Sequence, residues 1–556
     1  MNIKEKLEIA KQYISNNELT KALKILKCLI CLKTDAFFKE QIYFEIGKIY
    51  MMLNENKKST IYLSKISKKN SVYNFAVELL LKNYKILKMP DKQIDVINKN
   101  KDFPVTEQMM KDLLETVADS KDFVMCFNFL NRYRDKISNF DEILKKICNN
   151  VITHVQYLNR THKYNKTREL FKSINRYIPE AEKKLKNILL NEYELAQNKI
   201  HLKSYPRILN LVLTTRCNLK CIMCEKIEHD GKYNLSDGEV ENLVEIMPYL
   251  EKLVLRGGEV FLHKKILYIL EQAKKHKVDV EIVTNGVLLT KKIINLLLGV
   301  LTEITFSIDS VNKETYEKIR VGAKFDTLLK NIDLFNNLNK KTKDKVFTRI
   351  NMVVMRSNYK EIEKVIRFAS EHNFKEVYLE PVRGIQADKS ELIFSHGFDK
   401  KIVEDLSKKR TLFENIAKQY SIKLYNVLPK KRTNFNDSLM NNTNQYLAGL
   451  YDKLINKSTK LQKEFLKDSI NMKSNKKINK DVKKYCFSPW KQMYLFNFIV
   501  LPACFCKLLF ANSGKKENSI MNVWNNKVMQ YYRYKIINNE YKALCARGCS
   551  EDIKFL

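Results

Sequence analysis

Glycine and proline are scarce in this chain, with 13 glycines and 9 prolines in 556 residues. That composition favours a compact, helix-rich protein over a disordered one. Apolar runs are short: the longest patch, "IINLLLGVL", falls well below the roughly 18 residues that a membrane span needs. The N-terminal stretch "MNIKEKLEIAKQY" has no apolar signal core. We therefore expect a cytoplasmic protein with no membrane span.

Acidic residues are also few, 63 against 100 basic ones, which gives a formal net charge of +37. Such a charge would suit a polyanionic partner, such as RNA or an anionic membrane surface. Lysine outnumbers arginine and runs through every segment, whereas phosphate recognition typically uses the arginine fork. We interpret the charge as compositional and spread over the surface, with RNA as the alternative partner.

Twelve cysteines in a cytoplasmic protein indicate metal ligands or buried thiols rather than disulfides. Cys28 and Cys31 form a CxxC in the apolar helical stretch "KALKILKCLICLK". We expect both to pack in a core, as we do for the isolated Cys126 and Cys148.

The first two hundred residues contain helix pairs at a regular interval. Similar units begin at Tyr13, Tyr50, Tyr84, Val117 and Tyr157, which are 37, 34, 33 and 40 residues apart. Each has an aromatic or apolar anchor, a polar turn and a second apolar-periodic helix. The period resembles a degenerate tetratricopeptide repeat, whose stacked helix pairs form a curved binding surface. Residues 1–200 are predicted to be an all-α repeat domain; a helical domain without a binding groove is the alternative.

From about Pro206, short β-rich runs alternate with helical runs of ten to twenty residues. The runs are "ILNLVLT", "KLVLRGG", "VDVEIVTNG", "EITFSIDS", "VFTRINMVVM" and "EVYLEPVRG". Six strands alternating with helices predict an α/β domain with a parallel sheet, a partial (βα)6 barrel, over residues 206–398. Chemistry in such sheets lies at the carboxyl ends of the strands.

Residues 399–484 are predicted to be an extension of this domain. It begins with a helix and the probable strand "IKLYNVLP" and continues into a basic insertion. Between residues 430 and 484 there are fourteen basic and five acidic residues.

Three cysteines lie within eight residues directly after the first strand of the α/β region, in "LTTRCNLKCIMCEK". They are Cys217, Cys221 and Cys224. Thiolates at this spacing can bind three corners of a cubane iron–sulfur cluster and leave its fourth iron for another ligand. The alternative is a zinc site in which His229 or His263 supplies the fourth ligand.

Here the sequence resembles the radical S-adenosylmethionine (SAM) superfamily, and four further stretches agree in order: "LRGGEV", "VTNG", "FSIDS" and "YEKIRVGAKFD". The resemblance implies that a SAM-binding 4Fe–4S cluster is held by Cys217, Cys221 and Cys224. The SAM contacts that it implies are Met223, Gly257, Gly258, Glu259, Thr284, Asn285, Ser307, Asp309 and Arg320. Within this set, the resemblance implies that Glu259 binds the amino group of SAM and that Arg320 binds its carboxylate. Met223 and Val260 replace the family's usual aromatic residue and proline.

The resemblance also implies the chemistry: reductive cleavage of SAM to a 5′-deoxyadenosyl radical that abstracts hydrogen from a substrate. Relatives with the same layout modify peptides or proteins, so a polypeptide is the expected substrate. A flavodoxin or ferredoxin is the expected electron donor. RNA, a sugar or another small molecule is the alternative substrate, and a non-catalytic scaffold is the remote alternative. No catalytic residue can be named, and Asp309, Glu380 and Arg383 are only polar candidates at strand ends.

The last seventy residues resemble the SPASM domain that follows the barrel in many radical SAM maturases. Matching residues are Cys486, Pro489, Trp490, Pro502, Cys504, Trp524, Asn525, Arg533, Cys545 and Cys549. The resemblance implies that the four thiols bind an auxiliary 4Fe–4S cluster, with Cys506 as the alternative to Cys504. Structural zinc in the same thiols is the other reading, because four cysteines suit both. Residues 485–556 are predicted to be this cysteine-rich domain.

Overall fold

A computed structural model describes residues 3–100 except 33, residue 106, 123–134 except 133, 140–224 except 181, 231–382 except 232, 388–394, 399–428 except 427, 488–502 except 497 and 498, and 519–538 except 526. The chain divides into two compact units. One comprises Met1–Arg160 and Glu169–Pro179, and the other Thr161–Arg168 and Glu180–Leu556. Within the described ranges, no helix combines the length and apolar character needed to cross a bilayer. The domain bounds at 200, 398 and 484 stay predictions.

The first unit is helical, as predicted. Its helices are α1 (Ile3–Ser15), α2 (Leu19–Ile30), α3 (Ala36–Met52), α4 (Asn56–Leu63), α5 (Tyr73–Ile86), α6 (Pro90–Lys99), α7 (Phe123–Arg132) and α8 (Phe140–Arg160). The next helix, α9 (Tyr164–Ile174), contributes residues to both units.

Three helix pairs in this unit share one turn, which explains the period in the sequence. Asn17, Asn54 and Lys88 follow α1, α3 and α5 and all adopt left-handed backbone conformations, with φ of 60°, 57° and 54°. The next amide in each case donates to a tyrosine carbonyl five residues back, at 2.8, 2.8 and 2.9 Å. Those tyrosines are the anchors at 13, 50 and 84. The bond is the 6→1 contact of a Schellman motif, which ends one helix and starts its partner.

Cys28 and Cys31 are exposed, so the prediction that both pack in a core is wrong. Helix α2 buries Ala22, Leu26 and Leu29, which share one face because helical neighbours recur every three to four residues. Cys28 falls between two of these positions and points elsewhere, and Cys31 follows the end of the helix. Cys148 is buried as expected; the side chain of Cys126 lies outside the described residues.

Within its described residues, the second unit contains nine strands. They are β1 (Ile208–Thr214), β2 (Lys252–Gly257), β3 (Asp279–Thr284), β4 (Leu301–Ser307), β5 (Phe347–Val354), β6 (Glu376–Pro381), β7 (Lys423–Asn426), β8 (Gln492–Phe496) and β9 (Ile499–Pro502). Its helices are α10 (Lys183–Ala196), α11 (Asp237–Ile246), α12 (Ile266–Lys275), α13 (Lys291–Leu297), α14 (Lys313–Ile319), α15 (Phe325–Asn339), α16 (Ile362–Glu371), α17 (Lys400–Gln419), α18 (Ser488–Lys491), α19 (Ile520–Trp524) and α20 (Lys527–Ile537).

The strands form one sheet in the order β7-β6-β5-β4-β3-β2-β1-β8-β9. All neighbours from β7 to β8 pair in parallel, and only the β8–β9 hairpin is antiparallel. The six predicted strands therefore lie side by side in chain order, which confirms the α/β class and the parallel sheet. The predicted seventh strand is β7, and the structure adds the hairpin beside β1.

One face of the sheet forms the main core with the helices. On β5, Ile350 and Met352 are fully buried in that core, while Arg349 and Asn351 alternate with them on the other face. The core residues Leu209, Leu211 and Leu213 of β1 alternate along their strand in the same way.

The other face carries a ladder of charges across five strands. Lys252 on β2 pairs with Glu281 at 2.7 Å and with Glu303 at 3.2 Å. Arg349 on β5 pairs with Glu303 at 2.5 Å and also contacts Glu376 on β6. Each of the two cations bridges carboxylates on more than one strand, including the directly paired Glu281 and Glu303 of β3 and β4. The ladder therefore ties the register of the parallel sheet across its inner surface.

The C-terminal segment is anchored on the residues that precede β1. Both indole nitrogens donate to backbone carbonyls there, Trp490 to Lys199 at 2.9 Å and Trp524 to Ser204 at 3.0 Å. The side-chain oxygen of Asn525 accepts from the backbone amide of Leu202 at 2.8 Å, and its side-chain nitrogen donates to the Leu202 carbonyl at 2.7 Å. These contacts satisfy the backbone of a segment that belongs to no sheet or helix.

Arg533 completes the anchor. It is fully buried and donates to the carbonyls of Ile200 at 2.8 Å and Trp524 at 3.0 Å. Its guanidinium lies 4.4 Å from the ring centroid of Trp524. Burial lowers the pKa of Arg533 to about 9, although Glu194 opposes that shift. The matched Trp-Asn and arginine positions of the C-terminal resemblance therefore meet at one junction.

We expect Asn525→Ala to cost about 2 kcal/mol in unfolding free energy, because it removes the two hydrogen bonds with Leu202 and a third from Arg533, and leaves the Leu202 backbone groups unpaired. Asn538→Ala is the matched control: Asn538 is exposed and bonds only within its own helix end, so its loss should stay within about 0.5 kcal/mol. Urea unfolding followed by tryptophan fluorescence reports on this junction, since the chain has two tryptophans and both lie there. Equal losses in the two variants would contradict the anchor.

Candidate functional site

The three cysteines of the loop after β1 are all half-buried. Cys217 Sγ accepts from the Leu219 amide at 3.4 Å. The loop runs beside the end of α14, where the Lys220 amide donates to the Val321 carbonyl at 2.9 Å and the Ile222 amide to the Ile319 carbonyl at 3.0 Å. Burial raises the pKa of the Cys217 and Cys221 thiols. A positive group or a metal is therefore needed to hold them as thiolates.

Two glycines at the end of β2 hold the start of this loop. The Gly258 amide donates to the Thr214 carbonyl and the Glu259 amide to the Arg216 carbonyl, both at 2.8 Å. Gly257 has a φ of 133°, and a Cβ on either glycine would fall closer than 3.0 Å to one of those carbonyl oxygens. Only glycine permits this approach, so "GGE" fixes where the cysteine loop leaves the sheet.

Glu259 joins the ends of β2 and β3. It is fully buried, and its carboxylate accepts from the Thr284 hydroxyl at 2.8 Å and from the backbone amide of Asn285 at 2.9 Å. Burial raises the pKa of Glu259 to about 7, against the hydrogen bonds that lower it. The Phe261 backbone also hydrogen-bonds to this carboxylate, which, with about four acceptor sites, still has room for a further donor.

Asn285 connects the third strand to the cysteine loop, because its side-chain amide donates to Asn218 Oδ1 at 2.8 Å. Its own oxygen accepts from the Val287 amide at 3.0 Å, which shapes the turn after β3. "GGE" and "TNG" are therefore brought to one edge of the sheet, around residues 214–218.

Arg320 lies at the end of α14 and reaches the same loop. Its Nη2 is 2.7 Å from Asp309 Oδ2 and its Nη1 is 3.9 Å from Cys221 Sγ. Asp309 Oδ1 accepts from the Val353 amide at 2.8 Å. Burial opposes the charge of Arg320, but Asp309 and Cys221 raise its pKa, so it stays a cation.

Tyr316 is a site residue that the sequence reasoning missed. It is fully buried one helical turn before Arg320, and burial raises its pKa to about 12. Among the described residues its hydroxyl has no hydrogen-bond partner, nor does Arg320 Nε. Buried donors of this kind usually bind a ligand or water. Its signal was the i, i+4 spacing from Arg320, which places both on one helix face.

The other predicted residues are placed less centrally. Ser307 ends β4 and pairs with Asn351 of β5. Met223 packs with the apolar cluster of Met355, Val382 and Leu392. Glu380 accepts from the Asn351 amide at 2.7 Å, on the face of the charge ladder.

Several predicted residues lie outside the described part of the chain. They are Arg383, His229, Cys486, Cys504, Cys506, Cys545 and Cys549.

Nothing in the described site supports the zinc alternative with His263. Both ring nitrogens of His263 are engaged, Nε2 with the Leu235 carbonyl at 2.9 Å and Nδ1 with the Lys265 amide at 3.2 Å. Over the described ranges, no three His, Cys, Asp or Glu side chains are gathered closely enough to hold a single metal ion. A cubane differs, because each thiolate binds a separate iron.

Residues 211–369 match the family described as the Radical SAM superfamily. A probable GTP 3′,8-cyclase of Pyrococcus abyssi is 32% identical over 169 residues, 30% of this chain and 53% of that protein. A probable GTP 3′,8-cyclase of Saccharolobus islandicus is 27% identical over 225 residues, 40% of this chain and 70% of that protein. The chain thus spans about half the length of the first of these relatives. The crystal structure of Streptococcus suis SuiB superposes with a TM-score of 0.44 and 16% identity, over 72% of this chain and 88% of that one.

We expect Gly258→Ala to displace the cysteine loop, because the new Cβ meets the Arg216 carbonyl. The cost in unfolding free energy should be about 2 kcal/mol, with faster reaction of the loop thiols toward a disulfide reagent. Gly238→Ala is the control: Gly238 is in α11, nothing lies within 4 Å of its added Cβ, and alanine should stabilise by up to about 1 kcal/mol. A Gly258→Ala protein as stable as this control would show that the close approach is not required.

Because of the buried Glu259 carboxyl, we expect the stability of the ligand-free protein to depend on pH. With a pKa of about 7 when folded against 4.5 ordinarily, the folded state keeps a proton that the unfolded state releases. Stability therefore falls as pH rises from about 4.5 to 7 and then levels off, by up to about 3 kcal/mol. Glu259→Gln removes this term, so the stability difference between wild type and variant should change by about that much between pH 5 and 8. A constant difference across that range contradicts the buried, proton-binding carboxyl.

Proposed function

We propose that this chain, which carries a radical SAM domain over residues 211–369, is an enzyme that uses a 4Fe–4S cluster and SAM to abstract hydrogen from a polypeptide. The observation that carries the proposal is the loop of Cys217, Cys221 and Cys224. The loop is fixed by the glycine turn after β2 on one side and by Arg320 on the other. It lies at the carboxyl edge of a parallel sheet, where α/β proteins bind their ligands.

The residues present fit such a cluster. The loop carries three half-buried thiols. The glycine turn beside it has no side chains, and a Cβ there would collide with the carbonyl oxygens of Thr214 and Arg216. Tyr316 Oη and Arg320 Nε are buried donors without partners in the described part of the chain. When bound, the cluster and SAM supply the electron and the 5′-deoxyadenosyl radical for hydrogen abstraction.

The chain's own residues would hold and orient the nucleotide. The Glu259 carboxyl has room for a further donor, and an ammonium group beside it would favour its carboxylate form. Asn285 and Thr284 fix that carboxylate. Asp309 and Arg320 supply a buried pair of charges on the opposite side of the loop. We assign Gly257, Gly258, Ser307 and Met223 to the same binding site.

A polypeptide substrate is favoured by the surface of the helical unit. Of the twelve large apolar side chains that are exposed in the described part of the chain, nine lie in this unit, Phe37, Ile61 and Phe75 among them. Exposed apolar groups bind polypeptide side chains and gain nothing from phosphates. Repeated helix pairs offer such groups on a continuous surface.

A nucleotide is the second candidate substrate, because the matched relatives from Pyrococcus and Saccharolobus are named GTP 3′,8-cyclases. Because the net charge is +37, RNA is a further candidate substrate to be tested. An auxiliary 4Fe–4S cluster on Cys486, Cys504, Cys545 and Cys549 is part of the proposal, with Cys506 in place of Cys504 as its variant. A flavodoxin or ferredoxin is the proposed reductant.

Anaerobic reconstitution followed by iron and sulfide analysis tests the clusters. We expect about eight irons in the wild type and about four in a Cys217→Ala, Cys221→Ala, Cys224→Ala triple variant. Zinc in the C-terminal thiols would instead leave about four irons in the wild type. Cys28→Ala plus Cys31→Ala is the matched control, because those thiols are exposed on the helical unit, and it should retain all irons.

Substrate class is tested on the reconstituted, reduced protein. Without added substrate it should release some deoxyadenosine from SAM, and the triple variant none. A peptide library, GTP and RNA are then compared for deoxyadenosine release above that level. Stimulation by GTP or RNA alone would overturn the polypeptide assignment, and no deoxyadenosine from protein that holds a reducible cluster would support a scaffold.

A further inference from the structure

The contacts of Arg320 inside the site go beyond the one that the sequence resemblance implies. Two of its three guanidinium nitrogens already have partners within the chain, Nη2 with Asp309 at 2.7 Å and Nη1 with Cys221 Sγ at 3.9 Å. Only Nε lacks a partner among the described residues. A carboxylate bound in the usual bidentate manner needs two parallel N–H groups. A guanidinium has five N–H groups, so three of them remain for a ligand while Arg320 keeps both Asp309 and Cys221.

Asp309, which forms the ion pair with Arg320, is itself fixed by hydrogen bonds. Its second oxygen accepts from the Val353 amide at 2.8 Å, and its carbonyl accepts from the Asn358 side chain at 2.8 Å. Asn358 is itself fully buried and bonded to the Met355 amide at 2.7 Å and the Val353 carbonyl at 2.9 Å. A chain of fixed groups thus runs from Asn358 through Asp309 to Arg320 and ends at the sulfur of Cys221.

The direction of the electrostatic effect follows from the charges. Asp309 is fully buried and Arg320 is 6% exposed, so their charges are poorly screened by water. The Arg320 guanidinium donates toward a thiol that would be a cluster ligand. Hydrogen bonds to ligand sulfurs and nearby positive charge favour the reduced, more negative form of an iron–sulfur cluster.

We propose that Arg320, fixed by Asp309, is a positioning residue for Cys221 that raises the reduction potential of the cluster on Cys217, Cys221 and Cys224 before SAM binds. This inference rests on the proposed function, because it requires that cluster. It gives Arg320 a role at the cluster before SAM binds, in addition to the carboxylate contact that the resemblance implies.

The test is a redox titration of the reconstituted protein without SAM, monitored by electron paramagnetic resonance. The spectrum of the Cys217/Cys221/Cys224 triple alanine variant is subtracted to remove any auxiliary cluster. Arg320→Met should shift the midpoint to more negative potential by about 59 mV or more, a tenfold change in the reduced-to-oxidised ratio. Arg320→Lys keeps a charge but cannot reach both partners with separate planar nitrogens, so it should shift in the same direction by less.

Arg216→Met is the matched control. Arg216 lies in the same loop, next to Cys217, but it is exposed, so water and salt screen its charge. Its loss should leave the midpoint within a twofold change in the ratio. Dissociation constants for SAM are measured on the same samples.

Two results would separate the alternatives. A wild-type midpoint in both Arg320 variants, with weaker SAM binding, overturns the inference and returns Arg320 to the carboxylate of SAM. If Arg320→Met holds no cluster, Arg320→Lys decides, and an unshifted midpoint there is equally fatal. Failure of the wild type to form any cluster refutes the proposed function instead.

Discussion

The site depends on a contact between two backbones. Residues 214–216 leave the end of β1 and pass directly against the turn at 257–259, with amide-to-carbonyl bonds of 2.8 Å on both sides. A side chain at either glycine would occupy the space of a carbonyl oxygen. The direction in which the cysteine loop departs is therefore set by the neighbouring strand and by the absence of two Cβ atoms. Three thiols on a loop of ordinary flexibility would not keep one arrangement without this support.

Around that contact, the polar groups of the site are shared between strands. Glu259 of the β2 turn bonds the turn after β3, Asn285 bonds the cysteine loop, and Asp309 after β4 bonds Arg320 after α14. Each group is buried and therefore costly to leave unpaired. The charge ladder on the inner face does the same for the strands themselves. A single shift in register would break several of these bonds at once, which makes the arrangement specific.

Strand positions could be predicted because six β-rich runs alternate with helical runs. The observed β1 to β6 lie within them, except that β4 begins before its run, at Leu301. The repeat period could be predicted because one turn recurs after Tyr13, Tyr50 and Tyr84. The partners of individual side chains could not be predicted, since they depend on which residues face each other across strands. The Asn218–Asn285 bond, the unpartnered Tyr316 hydroxyl and the ladder all needed that register. The prediction that Cys28 and Cys31 are buried failed for a local reason. Residues that are neighbours in the sequence do not share a helix face, so apolar neighbours do not bury them.

The anchor formed by Trp490, Trp524, Asn525 and Arg533 joins residues about three hundred positions apart, with Leu202 and Asn525 separated by 323. Loop closure over such a distance is slow compared with helix pairing. During synthesis, the strands from β1 to β7 leave the ribosome well before β8 and the second tryptophan. The flank of β1 must wait for them with its edge unpaired, and an unpaired edge invites aggregation. The order of the sequence thus leaves one edge of the sheet open until the C-terminal segment has been made.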